Sequence, residues 1–263
     1  MIHEQLHDDG LLELVVEHPP VNAFTIADLH DLAARLRAIE ERPEVHSVLL
    51  RAEGRGFCGG GDVKEVERLP AFEGILGQAS GSQQASLAVA ECAAPVIVAV
   101  HGYCIGVGVL IVGTADVVVA ARGTRFVLAE VDNGATSGAA QALGLLPAKR
   151  LRAAMLTADP IDAEELHAHG SVYRLVDPAE VVEVARQVAR HIAAKSPAVV
   201  RRLKLSLNAS SGLDGLRARY RQELSYTYEL NLLGEAQKGR TDFVEGRRAS
   251  YLQPTDENEE GAL

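Results

Sequence analysis

Residues 95–116, PVIVAVHGYCIGVGVLIVGTAD, lie inside an apolar run, 94–121, that is long enough to cross a bilayer. Pro95 and the glycines at 102, 106, 108 and 113 break that run too often for a membrane helix. Its two ends are rich in valine, the composition of strands buried on both faces. The stretch therefore reads as strand, glycine turn, short buried helix and strand. No membrane span is expected.

Working outward, the same alternation continues on both sides. Upstream, Leu11 to Glu17 forms a strand that Pro19-Pro20 must end. Thr25 then caps a helix with Asp28 three residues on, and Leu29, Leu32, Leu36 and Ile39 recur along one face. A short strand at 47–51 leads into GRGFCGGGD, 54–62, and a charged helix from Asp62. Residues 70–83, PAFEGILGQASGSQ, have little periodicity and many small side chains, which predicts a mobile surface flap. A helix through Leu87 and Cys92 precedes the strand at 96–100.

Downstream, extended segments are expected at 117–121 and 126–130, and the chain is mainly helical after about 140. Asp159-Pro160 and Asp177-Pro178 read as helix starts. Helices also follow at 197–207 and 213–233; the second carries Leu216, Tyr220, Leu224 and Tyr228 and could pack on a neighbour. The ending QPTDENEEGAL reads as an acidic, frayed tail. Strand–helix alternation predicts an α/β fold with mostly parallel strands.

Composition narrows the function. The 263 residues carry 26 basic and 36 acidic side chains, a net charge of -10, with no basic stripe, so no nucleic acid is expected as partner. A locally positive site could still hold an anionic small molecule. The three cysteines lack metal-type spacing and read as reduced thiols, and nothing completes a site around His101 or His167, so no metal is expected. The acidic start MIHEQLHDDG is not a signal peptide, and a cytoplasmic protein is expected.

Two glycine-rich turns, 57–62 (FCGGGD) and 102–108 (GYCIGVG), each follow an apolar strand and precede a helix. Neither is a dinucleotide fingerprint or a P-loop. Together they suggest two converging backbone N–H groups, the arrangement that holds an oxyanion. A nucleophilic role for Cys58 or Cys104 has little support, since no motif supplies a His or Asp partner.

These residues resemble the crotonase (enoyl-CoA hydratase/isomerase) superfamily. The match lies in FCGGGDVKE at 57–65, in 95–116, in Asn22-Ala23-Phe24 and in Glu130-Val131, and it covers about residues 10–250. The resemblance implies a spiral of ββα units, residues 1–195, that binds acyl-coenzyme A. It also implies a helical C-terminal region, 196–263, that assembles a homotrimer or a dimer of trimers. Coenzyme A would enter as part of the substrate, with no separate cofactor. By position, the amides of Gly61 and Val107 would hold the thioester oxygen. Asn22, Ala23, Phe24 and Lys64 would lie along the nucleotide part of the ligand, and Leu110 would line the pocket.

One departure is informative. The family's hydratases use two glutamates, and the first falls at Leu110, which cannot move a proton. The second is kept as Glu130. One carboxylate beside an oxyanion hole suits double-bond isomerisation or a non-standard hydration, with Glu130 desolvated and its pKa raised. Asp132 would share its face if the segment were extended, and could orient Glu130 or polarise a water. A narrower resemblance, in RAEGRGF at 51–57 and SYTYELNLLG at 225–234, points to an actinobacterial branch that hydrolyses a fused-ring β-keto acyl-CoA in steroid breakdown. A catalytically silent acyl-CoA-binding subunit is the remaining alternative.

Overall fold

Alternating apolar side chains explain the architecture of the computed structural model, which describes residues 1–70, 72–212, 215–247 and 251. The strands are Ile2–Leu6 (β1), Leu11–Val16 (β2), Ser47–Ala52 (β3), Val96–Val100 (β4), Tyr103–Ile105 (β5), Val117–Ala121 (β6), Arg125–Val127 (β7), Ile161–Asp162 (β8) and Arg174–Val176 (β9). Six of them form one sheet in the order β1-β2-β3-β4-β6-β9, antiparallel only between β1 and β2. Leu12, Leu14, Val48, Leu50 and Val98 point to one face and pack against helices Ile26–Ala38 (α1) and Glu73–Glu91 (α3). Leu11, Leu49, Ile97, Ala99 and Val119 point to the other, against Val181–Ala193 (α8). Both faces are covered, which is why these strands read as nearly unbroken apolar runs.

The stretch 95–116 folds as its breaks dictate. The strand β4 enters the glycine turn, β5 leaves it, and the helix Val107–Gly113 (α4) follows before β6. Asp116, at the end of the stretch, is matched: Lys204 Nζ donates to Asp116 Oδ2 at 2.7 Å, and Val96 N donates to the same oxygen at 2.7 Å. Among the described residues no helix is long and apolar enough to cross a membrane. The smaller sheet, β5-β7-β8, gives successive turns a common pattern: a strand of the large sheet, a short strand of the small one, then a helix. The pattern appears in β4-β5-α4 and again in β6-β7 followed by Ala139–Ala142 (α5).

Three expectations are corrected. The flap expected at 70–83 is largely the first half of α3. Its small residues serve close packing: a methyl group on Gly77 would meet Ile26 Cδ1 at 2.6 Å, and one on Gly81 would meet Leu29 Cβ at 2.9 Å. The extended segment expected to run to Glu130 stops at Val127, and residues 131–133 form a 3-10 turn. The Asp-Pro pairs do not open their helices directly, since Ala163–Ala168 (α7) and α8 begin three residues after each proline.

After Ala148–Thr157 (α6) and α7, the C-terminal part consists of α8, Pro197–Ser210 (α9), Leu216–Leu232 (α10) and Glu235–Val244 (α11). Leu216, Tyr220 and Leu224 of α10 are buried in their own chain, where the sequence had suggested a neighbour. The helix α11 was not foreseen; Gly234, at φ 84°, reverses the chain before it. The acidic ending 253–263 lies outside the described residues.

Candidate active site

The first glycine loop is aligned by the segment at 22–24. Phe24 pairs with Gly61 as an isolated parallel bridge, with Phe24 N donating to Gly60 O at 2.9 Å and Asp62 N to Phe24 O at 2.8 Å. In a parallel bridge of this kind the paired residue's own N–H points to the opposite side. The Gly61 amide is thereby turned away from Phe24, and Gly61 lines a cavity of about 190 Å³. Asp62 caps Val63–Arg68 (α2), its Oδ1 accepting from Lys64 N and Glu65 N at 3.0 and 3.1 Å.

The second loop meets the first. Cys58 and Cys104 form another parallel bridge, and Ile105 N donates to Cys58 O at 2.9 Å. Gly106, at φ 51°, turns the chain into α4, so Val107 is the first helical residue and its N–H has no carbonyl four residues back to donate to. A methyl group on Gly106 would approach Gly60 Cα at 3.9 Å and Glu130 Oε1 at 3.6 Å. The two loops and the Glu130 carboxyl therefore share one wall of the cavity. The Val107 side chain, 6% exposed, fills space that a glycine would leave open.

Glu130 is the titratable group of that wall. Its Oε2 is buried without a hydrogen-bond partner among the described residues. Burial pushes the carboxyl up to about 7; its own backbone N–H pulls down, and the charge of Glu223 pushes up again. Leu110 lines the cavity beside it, at 3% exposure, while Val131 is 44% exposed. Asp132 does not line the cavity with Glu130, because the 3-10 turn rotates it off that face. Its proposed partnership with Glu130 required an extended segment and loses that support.

The outer residues divide as well. Lys64 is exposed on α2. Asn22 is buried, and its side chain is spent on structure: Nδ2 donates to Glu53 O and Gly56 O at 2.7 and 2.9 Å, and Oδ1 accepts from His18 N at 2.7 Å. Ala23 and Phe24 offer backbone beside the first loop, with Phe24 itself buried. Burial pushes the Cys58 thiol up to about 12 and the Cys104 thiol well up, so neither is a ready thiolate.

Several pocket residues could not be anticipated. Glu223 of α10 accepts from Gly138 N at 2.8 Å and Ala140 N at 2.9 Å, fixing the loop that closes the cavity beside Glu130. Thr136 Oγ1 donates to Glu223 O at 2.8 Å and Thr136 N to Thr227 Oγ1 at 3.0 Å. Tyr220, Leu224 and Arg240, from α10 and α11, and Gln78, from α3, complete the lining. The C-terminal helices thus build one wall of the pocket, more than 80 residues in sequence from either glycine loop.

Comparison with known proteins identifies the family. Residues 7–254 match the family described as Enoyl-CoA hydratase/isomerase. A (7aS)-7a-methyl-1,5-dioxo-2,3,5,6,7,7a-hexahydro-1H-indene-carboxyl-CoA hydrolase of Rhodococcus jostii is 39% identical over 90% of this chain and 92% of its own length. The protein of the same description from Mycobacterium tuberculosis is 40% identical over 90% of this chain and 96% of its own. An enoyl-CoA hydratase from Mycobacterium avium subsp. paratuberculosis superposes with a TM-score of 0.81 at 25% identity, covering 97% of this chain and 98% of that one. The chain adopts the crotonase fold and belongs to the enoyl-CoA hydratase/isomerase family of enzymes that act on coenzyme A thioesters.

Proposed function

We propose that this enzyme hydrolyses a carbon–carbon bond in a cyclic β-keto acyl-coenzyme A thioester. The observation that carries the reading is Glu130: a carboxyl without a partner at Oε2 among the described residues and held near pKa 7, on the wall shared by the two glycine loops. Relatives named as hydrolases of a dioxo-indene carboxyl-CoA, at 39 and 40% identity, favour ring opening over the family's other reactions.

The amides of Gly61 and Val107 donate to the thioester carbonyl oxygen. Glu130, as carboxylate, takes a proton from water, and the hydroxide adds to the ring ketone. The bond from that carbon to the thioester's α-carbon breaks, and its electron pair passes into the thioester as an enolate. The two amides share the enolate oxygen's charge. Glu130 then returns its proton to the α-carbon. The product carries a new carboxylic acid and the intact coenzyme A thioester on one opened chain. A group that accepts and then donates one proton works best with a pKa near the ambient pH. Leu110 supplies no second carboxyl, so two-carboxylate addition of water across a double bond lacks a partner.

Double-bond isomerisation needs only the same three groups and is the second reading. Coenzyme A enters as part of the substrate, with the backbone at 22–24 and Lys64 beside its nucleotide. We further propose assembly into a homotrimer or a dimer of trimers. Val199, Leu203 and Leu207, spaced four apart along α9, stay 64, 54 and 57% exposed and support an interface there. A cytoplasmic location is supported by the three free cysteines.

Incubation with a cyclic β-keto thioester, a 2-enoyl and a 3-enoyl thioester, followed by mass spectrometry, tests the reaction. Gain of one water by the cyclic substrate with opening of its ring is expected. Unchanged mass with a shifted double bond in the 3-enoyl substrate, and no reaction of the cyclic one, would replace hydrolysis by isomerisation.

A further inference from the structure

Arg240 is a charged residue of the cavity that the chemistry above leaves unused. It sits on α11, is 8% exposed and lines the same cavity as Gly61, Val107 and Glu130. Its Nε donates to Glu67 Oε2 at 3.4 Å and its Nη2 to Asn231 Oδ1 at 3.3 Å, both long for bonds from a cation. The third nitrogen, Nη1, is buried without a partner among the described residues. Apolar side chains make up much of the cavity lining, Val63, Val66, Leu224 and Phe243 among them. A buried guanidinium left short of acceptors is costly, and an acceptor brought by a ligand recovers that cost.

We propose that Arg240 determines specificity by binding an oxygen of the acyl group remote from the thioester, so that preferred substrates carry a ketone or carboxylate there. The inference rests on this cavity being the acyl site, as the proposed function has it. Remoteness is read from placement: Glu130 Oε1 lies beside Gly106 and Gly138, whereas the Arg240 guanidinium is held by Glu67 of α2 and Asn231 of α10. The cation and the acid/base therefore address different parts of the acyl group. A plain hydrocarbon chain would bury Nη1 against carbon, and a site built around a hydrogen bond rejects ligands that cannot make it far more strongly than an apolar pocket rejects a wrong shape. Both a ring ketone distant from the thioester and the carboxylate released by ring opening have the required oxygen.

Binding separates this inference from turnover. Wild type and Arg240→Met are titrated calorimetrically with a cyclohexanecarbonyl thioester of coenzyme A and with its para-oxo and para-carboxy analogues. In these the added oxygen lies too far from the thioester for cleavage. Wild type is expected to bind at least one oxygen-bearing analogue about ten- to a hundred-fold more tightly than the hydrocarbon. Arg240→Met should reduce that ratio to within about threefold while binding the hydrocarbon as well as before or better. Preference for the oxo compound identifies the closed ring as the ligand; preference for the carboxy compound identifies the opened product.

Equal binding of all three by wild type, or a ratio unchanged in Arg240→Met, overturns the inference and leaves the proposed reaction standing. Failure of every thioester to bind more tightly than free coenzyme A removes the acyl-site reading and this inference with it. Should Arg240→Met not fold, the ratio is read on Arg240→Lys, whose single ammonium cannot serve Glu67 and the ligand as the fork does. An unchanged ratio there overturns the inference equally.

Discussion

Glu13 and Glu130 both hold carboxyl oxygens away from water, and the chain treats them in opposite ways. Glu13, on the α8 side of β2, has a side chain only 1% exposed. Arg186 Nε donates to its Oε1 at 2.7 Å and Arg51 Nε to its Oε2 at 2.9 Å, with His7 Nε2 3.1 Å from Oε1. Burial pushes its carboxyl up, but the bonds and charges of Arg186 and Arg51 outweigh burial and bring it to about 2. Glu130 has no cation among the groups that shift its carboxyl, and burial raises it to about 7. The arginine partners are what set the first carboxylate apart from the second. The paired carboxylate ties β2 to β3 and α8, while the unpaired one keeps a proton it can exchange.

The sharpest way to break this contrast is to neutralise each glutamate in turn. Glu130→Gln keeps shape and burial but can neither take nor return a proton, so turnover should fall by roughly two to four orders of magnitude. Steady-state rates on the thioester that the wild type processes check this, and a variant with rates near wild type would remove Glu130 from the chemistry. Its melting temperature should not fall, since no ion pair is lost.

Glu13→Gln should do the reverse. It strands the Arg51 and Arg186 guanidiniums beside a neutral amide and should lower unfolding free energy by about 3 kcal/mol or more. The rate per folded molecule should stay near wild type, because Glu13 faces α8 on the opposite side of the sheet from the core that holds Val107 and Leu110. Urea unfolding monitored by circular dichroism measures the loss. A change under 1 kcal/mol would show that solvent, and not the arginines, satisfies this carboxylate.

What made Glu130 legible and Glu13 not is the kind of signal each leaves in the chain. The glycine loops are local motifs whose turns and helix starts have nearby chemical causes, while Gly61, Val107 and Glu130 are assigned by position through the resemblance to the crotonase family. Glu13 sits in LLELVV, where alternation marks it for a sheet face but says nothing of Arg186, which reaches it from 173 residues away. Arg240 and Glu223 were hidden for the same reason: their roles exist only once α10 and α11 fold back over the loops. The segment at 70–83 misled because small side chains suit a loose loop and a tight helix–helix contact equally. Asp132 misled because one turn of 3-10 helix, set by local backbone, rotates a side chain by far more than its two-residue spacing from Glu130 suggests.

The smallest expected effect is the one that distinguishes the two glutamates by pH alone. Glu130 holds its proton to about 7 when folded, against an ordinary value of 4.5, so between those values the folded state binds more protons than the unfolded one. Its contribution is therefore fully present below about 4.5, declines as pH rises towards 7, and is gone above, a loss of at most about 3 kcal/mol. Glu13 runs the other way: folded, it stays ionised down to about 2, so its contribution is present above 4.5 and is lost as pH falls towards 2. Wild-type stability should accordingly be eroded on both flanks. Glu130→Gln should gain on wild type steadily between about pH 5 and pH 7 and level off above, whereas the deficit of Glu13→Gln should be constant there and shrink only in acid. Parallel stability curves for Glu130→Gln and wild type across that range would mean that the pocket carboxyl ionises like an ordinary glutamate, and the opposition between the two sites would then disappear.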